Sequence, residues 1–338
     1  IDTVVKTGMI IEIITGNTKG PNRDWLKVVK TSEARNKIRA WFKKEKRDEN
    51  IVEGRAELER EGCAPFAADY RAGRTPLPCA RCNPAVKFPA LFALAGRIGA
   101  RYVSTGHYAR VENGGLKKGM PANDQSYMLA RLTREQLQKV IFPLGDYEKN
   151  QVRALARDFG IPVADKPDSM EICFIPDGDY AAFIRRWESR REDPKDFPPG
   201  EFVGTEGQVY GEHKGIIHYT VGQRKGLGLS FPQPMYVCKI DPQNNQVVLG
   251  KQEELMAREA VAGDINLISV ETLDQPMRMK ARVRYRQKEQ PATAYQIGPD
   301  RLKVVFDEPQ RAITPGQSLV LYDGDVVVGG GKILPEGE

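Results

Sequence analysis

The chain is poor in cysteine and histidine. Its 338 residues include five cysteines (63, 79, 82, 173 and 238) and three histidines. A sparse, odd cysteine set excludes a disulfide-dense secreted scaffold. It points to a reducing compartment, the cytoplasm, with thiols that are catalytic, metal-binding or redox-linked. No apolar run approaches the ~20 residues of a membrane-spanning helix. The opening IDTVVKTGMIIEI lacks the layout of a signal peptide. The strings G-x-x-x-x-G-K-[ST], G-x-S-x-G and H-E-x-x-H are absent, as is a G-x-G-x-x-G after a strand. Walker-type phosphate binding, a hydrolase nucleophile elbow, a zinc-protease helix and a dinucleotide turn are therefore excluded. There is no acidic excess. Lys and Arg number 51 against 45 Asp and Glu, a net charge of +6 that suits an acidic partner such as RNA.

What is present changes texture along the chain. Residues 1–62 open with strand-like alternation (TVVKTGMIIEII), pass a Gly/Pro/Asn turn zone and enter a helical pattern. Ser32 is the expected N-cap, and Ile38, Trp41 and Phe42 lie on one face. Residues 20–47 carry ten Lys/Arg against three Asp/Glu, either a solvated helix face or an RNA-facing surface. Residues 63–165 read as α/β. VKFPALFALAGRIGA is helix-like, and RYVSTGHYARV is a strand running into a Gly turn. Thr133-Arg-Glu-Gln136 has capping-box spacing. Val152, Leu155, Ala156 and Phe159 form a helical stripe stopped by Gly160. RRWESRREDPKDFPPG predicts a linker or surface loop. From about residue 200, short alternating runs between turn residues predict antiparallel sheets or a barrel.

Four features can carry chemistry. Cys79-Ala-Arg-Cys82 can form a disulfide, share a metal, or lower a thiol pKa beside Arg81. No second ligand pair follows, which disfavours a four-ligand zinc site, and buried inert cysteines remain the bland alternative. Cys173, in DSMEICFIPDGDY, is either a core cysteine or a partner for Cys82. Thr105-Gly106-His107-Tyr108 places a glycine after a strand, where backbone can approach a ligand, and His107 could donate to a phosphate or be structural. Finally, HYTVGQRKGLG and Arg282-Val-Arg284-Tyr285-Arg286 are basic. If the latter is a strand, its three arginines share one face, as a phosphate-tracking stripe or an ordinary solvated edge. Cys63 and Cys238 read as structural.

GRTPLPCARCNPAVKF, STGHYARV, NDQSYMLARL, DSMEICFIPDGDYAAF, HYTVGQRKGLG, RVRYRQ and VVFDEPQRAITPGQSLVLYDGDVVVGGG occur in this order. Together they resemble the tRNA-specific 2-thiouridylases over residues 63–334. The resemblance implies a multidomain α/β-plus-β fold. A nucleotide-hydrolase-like (PP-loop) α/β layer over 63–175 would be followed by a central tRNA-binding domain over 176–250 and a C-terminal antiparallel β-barrel over 251–338. It implies a transferase that uses ATP, with Mg2+, to activate the C2 oxygen of a wobble uridine in Lys-, Glu- and Gln-type tRNAs, and replaces it with persulfide sulfur from a cysteine desulfurase or sulfur-relay protein. By motif position Cys173 would carry the persulfide and Cys82 would be the nucleophile, the two pairing as a disulfide during turnover. Gly106 would contact ATP. Leu77, Pro78, Cys79, His107, Asn123, Asp124, Gln125, Arg284, Tyr285 and Gln317 would contact tRNA. In members with this pattern, Cys79, Cys82 and Cys173 could instead ligate an iron–sulfur cluster.

The family's SGGxDS pyrophosphate loop is not found in these 338 residues. The PP-loop layer is therefore expected to be truncated, with apolar sheet edges exposed. Residues 1–62 instead resemble the end of the TGS domain, and the helix after it, of stringent-response guanosine tetraphosphate synthetase/hydrolases. Three functions compete: an ATP-dependent tRNA thiolase, a catalytically inactive tRNA-binding protein, and a chimeric product whose N-terminal fragment is regulatory.

Overall fold

The computed structural model describes residues 20–22, 24–166 and 172–337. The strand expected over TVVKTGMIIEII lies outside them. The chain divides into two compact units, residues 1–56 and 57–338.

In the first unit a short helix, α1 (Trp25–Val28), precedes α2 (Ser32–Leu58). The cap of α2 falls one residue earlier than expected, since Thr31 Oγ1 accepts from the Ala34 N–H. Ile38 is buried, and the Trp41 and Phe42 rings meet edge to face at 5.1 Å.

The second unit begins with helical segments joined by π turns. These are α3 (Ala64–Arg71), α4 (Pro78–Cys82) and α5 (Phe88–Ile98), with π turns at Glu59–Cys63 and Asn83–Lys87. Gly99, in the left-handed region, ends α5. Strands β1 (Val103–Ser104) and β4 (Val140–Ile141) pair in parallel and form the α/β layer's sheet among the described residues. Between them lie a hairpin of β2 (Ala109–Glu112) and β3 (Gly115–Lys118), then α6 (Ser126–Leu129) and α7 (Arg134–Leu137). Thr133 and Gln136 close the expected capping box on α7. The striped helix is α8 (Lys149–Asp158), and α9 (Tyr180–Glu188) follows. Residues 185–188 of the expected linker therefore belong to a helix, because Asp179 caps α9 through the Ala182 N–H and Ile184 is fully buried. Ile98, Tyr102, Ile141, Phe159 and Val163 of this layer are exposed.

The central sheet has the order β6-β5-β8-β7, from β5 (Gly200–Gly204), β6 (Val209–His213), β7 (Tyr236–Asp241) and β8 (Gln246–Gly250). Its core, including Phe202, Val237 and Val247, also takes in Phe66 and Tyr70 of α3 and Ile184 of α9. The last domain is a closed antiparallel six-stranded barrel. It comprises β9 (Met256–Leu267), β10 (Met277–Arg282), β11 (Gln290–Gly298), β12 (Arg301–Arg311), β13 (Ser318–Asp323) and β14 (Val326–Ile333), with β13 pairing back onto β14. The glycine run in β14 permits closure, since a Cβ on Gly330 would lie 2.0 Å from the Leu319 carbonyl oxygen. The β2–β3 hairpin extends this sheet from β14, so the α/β layer and the barrel share a core that includes Tyr127, Leu116 and Tyr322.

One strand expectation fails. β10 stops at Arg282, and residues 283–287 form a turn. The Gln287 side chain accepts from the Val283 N–H, and the Gln287 N–H donates to the Arg284 carbonyl, so the ladder ends there. Arg282, Arg284 and Arg286 therefore do not form a single-faced stripe.

Candidate active site

The cysteine helix is built by local rules. Leu77 is extended, and Pro78 occupies the first turn of α4, where its missing N–H costs no helical bond. Arg81 fixes the helix to the preceding π turn, donating Nε to the Glu61 carbonyl and Nη2 to the Glu61 carboxylate, each at 2.9 Å. Buried Asn83 donates to the Met128 carbonyl at 3.1 Å and pins the other end.

This framework gathers four thiols. Cys79 and Cys173 are exposed, Cys82 is half-buried and Cys63 is buried. Cys79 and Cys82 each lie close enough to Cys173 for a charge on one to be felt at the other. Desolvation pushes both thiols above their ordinary value, a charged Cys173 adds to this, and Lys87 opposes it. Lys87 acts on Cys82 through its ammonium, and its backbone N–H also favours the thiolate. Cys63 is pushed up to about 11 by burial first, then by Glu59 and by Cys173 and Cys82. All five cysteines are free thiols, so the Cys82–Cys173 disulfide implied by the resemblance is not formed here. Among the described residues no group of three or more His, Cys, Asp or Glu side chains is disposed to hold a metal ion.

Gly106 lies exposed just past the carboxyl end of β1, the end of a parallel strand where ligands bind in open α/β sheets. Its Cβ position is open except for Leu144 at 3.5 Å. His107 packs between Phe88 and Phe142, with Nδ1 2.7 Å from Thr105 Oγ1 and Nε2 3.5 Å from Lys87 Nζ. The lysine requires Nε2 as acceptor, so the network places the proton on Nδ1. Burial, then Lys87, depress its pKa to about 4. His107 is accordingly neutral near pH 7 and offers a ligand no positive charge.

Other residues assigned to tRNA by resemblance are tied into the protein. Asp124 is buried, accepts from Gly119 N–H, Ser126 N–H and Ser126 Oγ, and pairs with Arg282 at 3.3 Å. Gln125 accepts from the Tyr108 N–H, and the Asn123 N–H donates to Met120. Arg284 donates to the carbonyls of Ala312 and Val221 and to Thr314 Oγ1, which joins the central domain to the barrel. Gln317 donates to the Thr75 carbonyl at 2.8 Å. Leu77 and Pro78 are half-buried beside the cysteines. Tyr285, at the barrel turn, is exposed and within electrostatic reach of Cys79. Arg224, Lys225 and Arg286 are exposed cations.

Comparison with known sequences agrees with this architecture. Three family profiles match in order: the tRNA methyl transferase HUP domain over residues 48–177, the tRNA methyl transferase PRC-barrel domain over 193–251, and the aminomethyltransferase beta-barrel domain over 257–333. The first match begins at residue 48, within α2, ahead of Cys63. The tRNA-specific 2-thiouridylase MnmA of Clostridioides difficile is 48% identical over 275 residues, covering 79% of this chain and 75% of the relative. MnmA 1 of Caldanaerobacter subterraneus subsp. tengcongensis is 52% identical over 275 residues, covering 79% and 74%. MnmA of Acetivibrio thermocellus is 49% identical over the same length. The chain belongs to the tRNA-specific 2-thiouridylase family.

Within this thiouridylase frame two residues of the cluster were not singled out by sequence reading. Lys87 sits in a run that resembles any amphipathic helix start, and only the fold shows that it bears on Cys82. Cys63 has no telling spacing to the C-x-x-C, and folding alone places it beside them.

Proposed function

We propose that this chain acts in tRNA 2-thiolation as a tRNA-uridine sulfurtransferase of the cytoplasm, with Cys173 carrying persulfide sulfur and Cys82 as the nucleophile. The observation that carries this reading is the cluster of Cys79, Cys82 and Cys173, with Lys87 beside it. Thiol–persulfide exchange needs an accessible carrier and a second thiol that can reach it as thiolate. Cys173 is exposed, and Lys87 supports the thiolate of Cys82. In the exchange, Cys82 thiolate attacks the inner sulfur of the Cys173 persulfide. A Cys82–Cys173 disulfide forms, and hydrosulfide departs with the electron pair as the sulfur that enters the uridine. No outside oxidant is needed, because the persulfide already carries the oxidation. Exposed Tyr285, Arg286, Arg224 and Lys225 suit an RNA backbone and a stacked base.

The described residues only partly suit ATP. Gly106 offers a close backbone approach. Among the described residues, however, no glycine-rich turn leads from β1 or β4 into a helix to form an anion nest, and the Gly145 turn carries Asp146. No adenylation step is assigned to them. This favours a second reading: the chain by itself binds tRNA without activating it.

One experiment separates the two. The full chain is incubated with unmodified tRNA, ATP, Mg2+ and a persulfide-loaded cysteine desulfurase, and 2-thiouridine is measured by mass spectrometry. The sulfurtransferase reading expects product, lost in Cys82→Ser and Cys173→Ser. Salt-sensitive tRNA binding with no product in any variant supports the binding reading and overturns the first.

A further inference from the structure

The barrel holds the lead-in to the cysteine helix at the Thr75 peptide. The Thr75 N–H donates to the Pro315 carbonyl at 2.9 Å, and Gln317 Nε2 donates to the Thr75 carbonyl at 2.8 Å. Both backbone polar groups of Thr75 are thus held by the 314–318 turn. Gly316 lies between them, buried, with φ +94, and a Cβ there would stand 3.0 Å from Thr75 N, C and O. The turn itself is anchored to β14, since the Gly316 N–H donates to Ile333 and the Ile333 N–H to Gln317.

The segment after Thr75 is stiff. Thr75-Pro-Leu-Pro-Cys79 contains two prolines that lock φ and hold the residues before them extended. A fixed Thr75 therefore fixes the start of α4. A cavity of about 240 Å³, lined by Pro76, Leu77, Pro78, Arg81, Gly316 and Ser318, lies beside the strut and leaves it room to shift once untethered.

We propose that the 314–318 turn positions the thiols, with Gly316 and Gln317 acting through the Thr75 peptide on Cys79 and Cys82. The role of these thiols rests on the sulfur-transfer reading above; the tether does not. Gln317 uses its amide nitrogen within the protein, whereas the resemblance gave it to tRNA.

The test measures iodoacetamide alkylation of each cysteine in the reduced full chain by peptide mass spectrometry, with melting temperature as the folding control. The variants are Gly316→Ala, Gln317→Ala, Gln317→Glu and Gln317→Lys. Rates at Cys79 and Cys82 should change severalfold in the first three, with Cys238 constant, and Gln317→Lys, which keeps a donor, should return toward the parent. Parent-like rates at Cys79 and Cys82 in folded Gln317→Ala and Gln317→Glu overturn the proposal, as does an equal change at Cys238. If Gly316→Ala does not fold, the Gln317 variants decide. Separately, the thiol oxidant diamide, which takes up the two electrons and two protons, should link Cys82 to Cys173 in the parent and less so in the variants. A parent that forms no such link overturns the sulfur-transfer pairing and leaves the alkylation result to decide the tether.

Discussion

Lys87 bears on Cys82 twice, with its ammonium as a nearby positive charge and with its backbone N–H, both of which favour the thiolate. Burial and Cys173 work against the Cys82 thiolate, so Lys87 is the group that keeps it accessible. Lys87→Met removes the charge and leaves the N–H. The Cys82 thiol pKa should rise, and its alkylation rate should follow a pH profile displaced upward, by one unit for each ~1.4 kcal/mol of lost interaction. An unshifted profile refutes this. In the same variant His107 loses a neighbour that depresses its pKa, so an NMR titration should move upward.

His107 makes the fold acid-sensitive in a defined window. Its folded pKa, about 4, lies below the ordinary 6.5, so the unfolded chain binds the proton first. Stability from this residue is intact above pH 6.5 and is lost as pH falls toward 4, at no more than ~1.4 kcal/mol per pH unit for one proton. Urea midpoints for His107→Phe should vary less over that range than those of the parent. Equal slopes would show that His107 is not the responsible group.

Asp124 and Arg282 form a part-buried pair whose loss leaves a charge without a partner. Arg282 Nε already lacks one. Asp124→Ala should cost about 3–5 kcal/mol in denaturant unfolding. Asp124 therefore works in the fold whatever tRNA does, and a loss below about 1 kcal/mol would contradict this assignment.

Arg284 and Arg286 should separate stability from binding. Arg284→Ala frees the Val221 carbonyl and Thr314, and should lower the melting temperature. Arg286→Ala removes an exposed cation. It should leave melting unchanged and weaken tRNA binding, with the log–log salt slope reduced by about 0.7–0.9 if it contacts a phosphate. The reverse pattern would exchange the two roles.

Gly106→Ala tests the ATP assignment cleanly. The added methyl meets Leu144 at 3.5 Å, an ordinary contact, so folding should be unaffected. Any loss in a nucleotide-binding assay would then report a ligand at that backbone. Equal binding by parent and variant would remove Gly106 from the site.

Local pattern carried much of this protein. The Thr133–Gln136 capping box, Gly160 as a helix stop, and the alternating runs of β11 to β14 each follow from chemistry within a few residues. Where a long-range partner competes, pattern misleads. RVRYRQ has strand composition, but Gln287 caps the Val283 N–H and Asp124 captures Arg282, so the arginines part company. The charge-rich run at residue 185 reads as a loop because its sequence does not reveal that Ile184 has a core to enter.

The sequence by itself determined which residues could do chemistry, through the C-x-x-C, the EICF segment and the ordered motifs of the family. It also determined that β-structure follows α/β, since period and turn residues are local properties. Tertiary structure alone decided that Cys63, Cys79, Cys82 and Cys173 share one neighbourhood, that Lys87 turns toward them, and that the barrel grips Thr75. Those meetings join residues far apart in the chain, and burial of a shared core, which no short window of sequence records, brings them together.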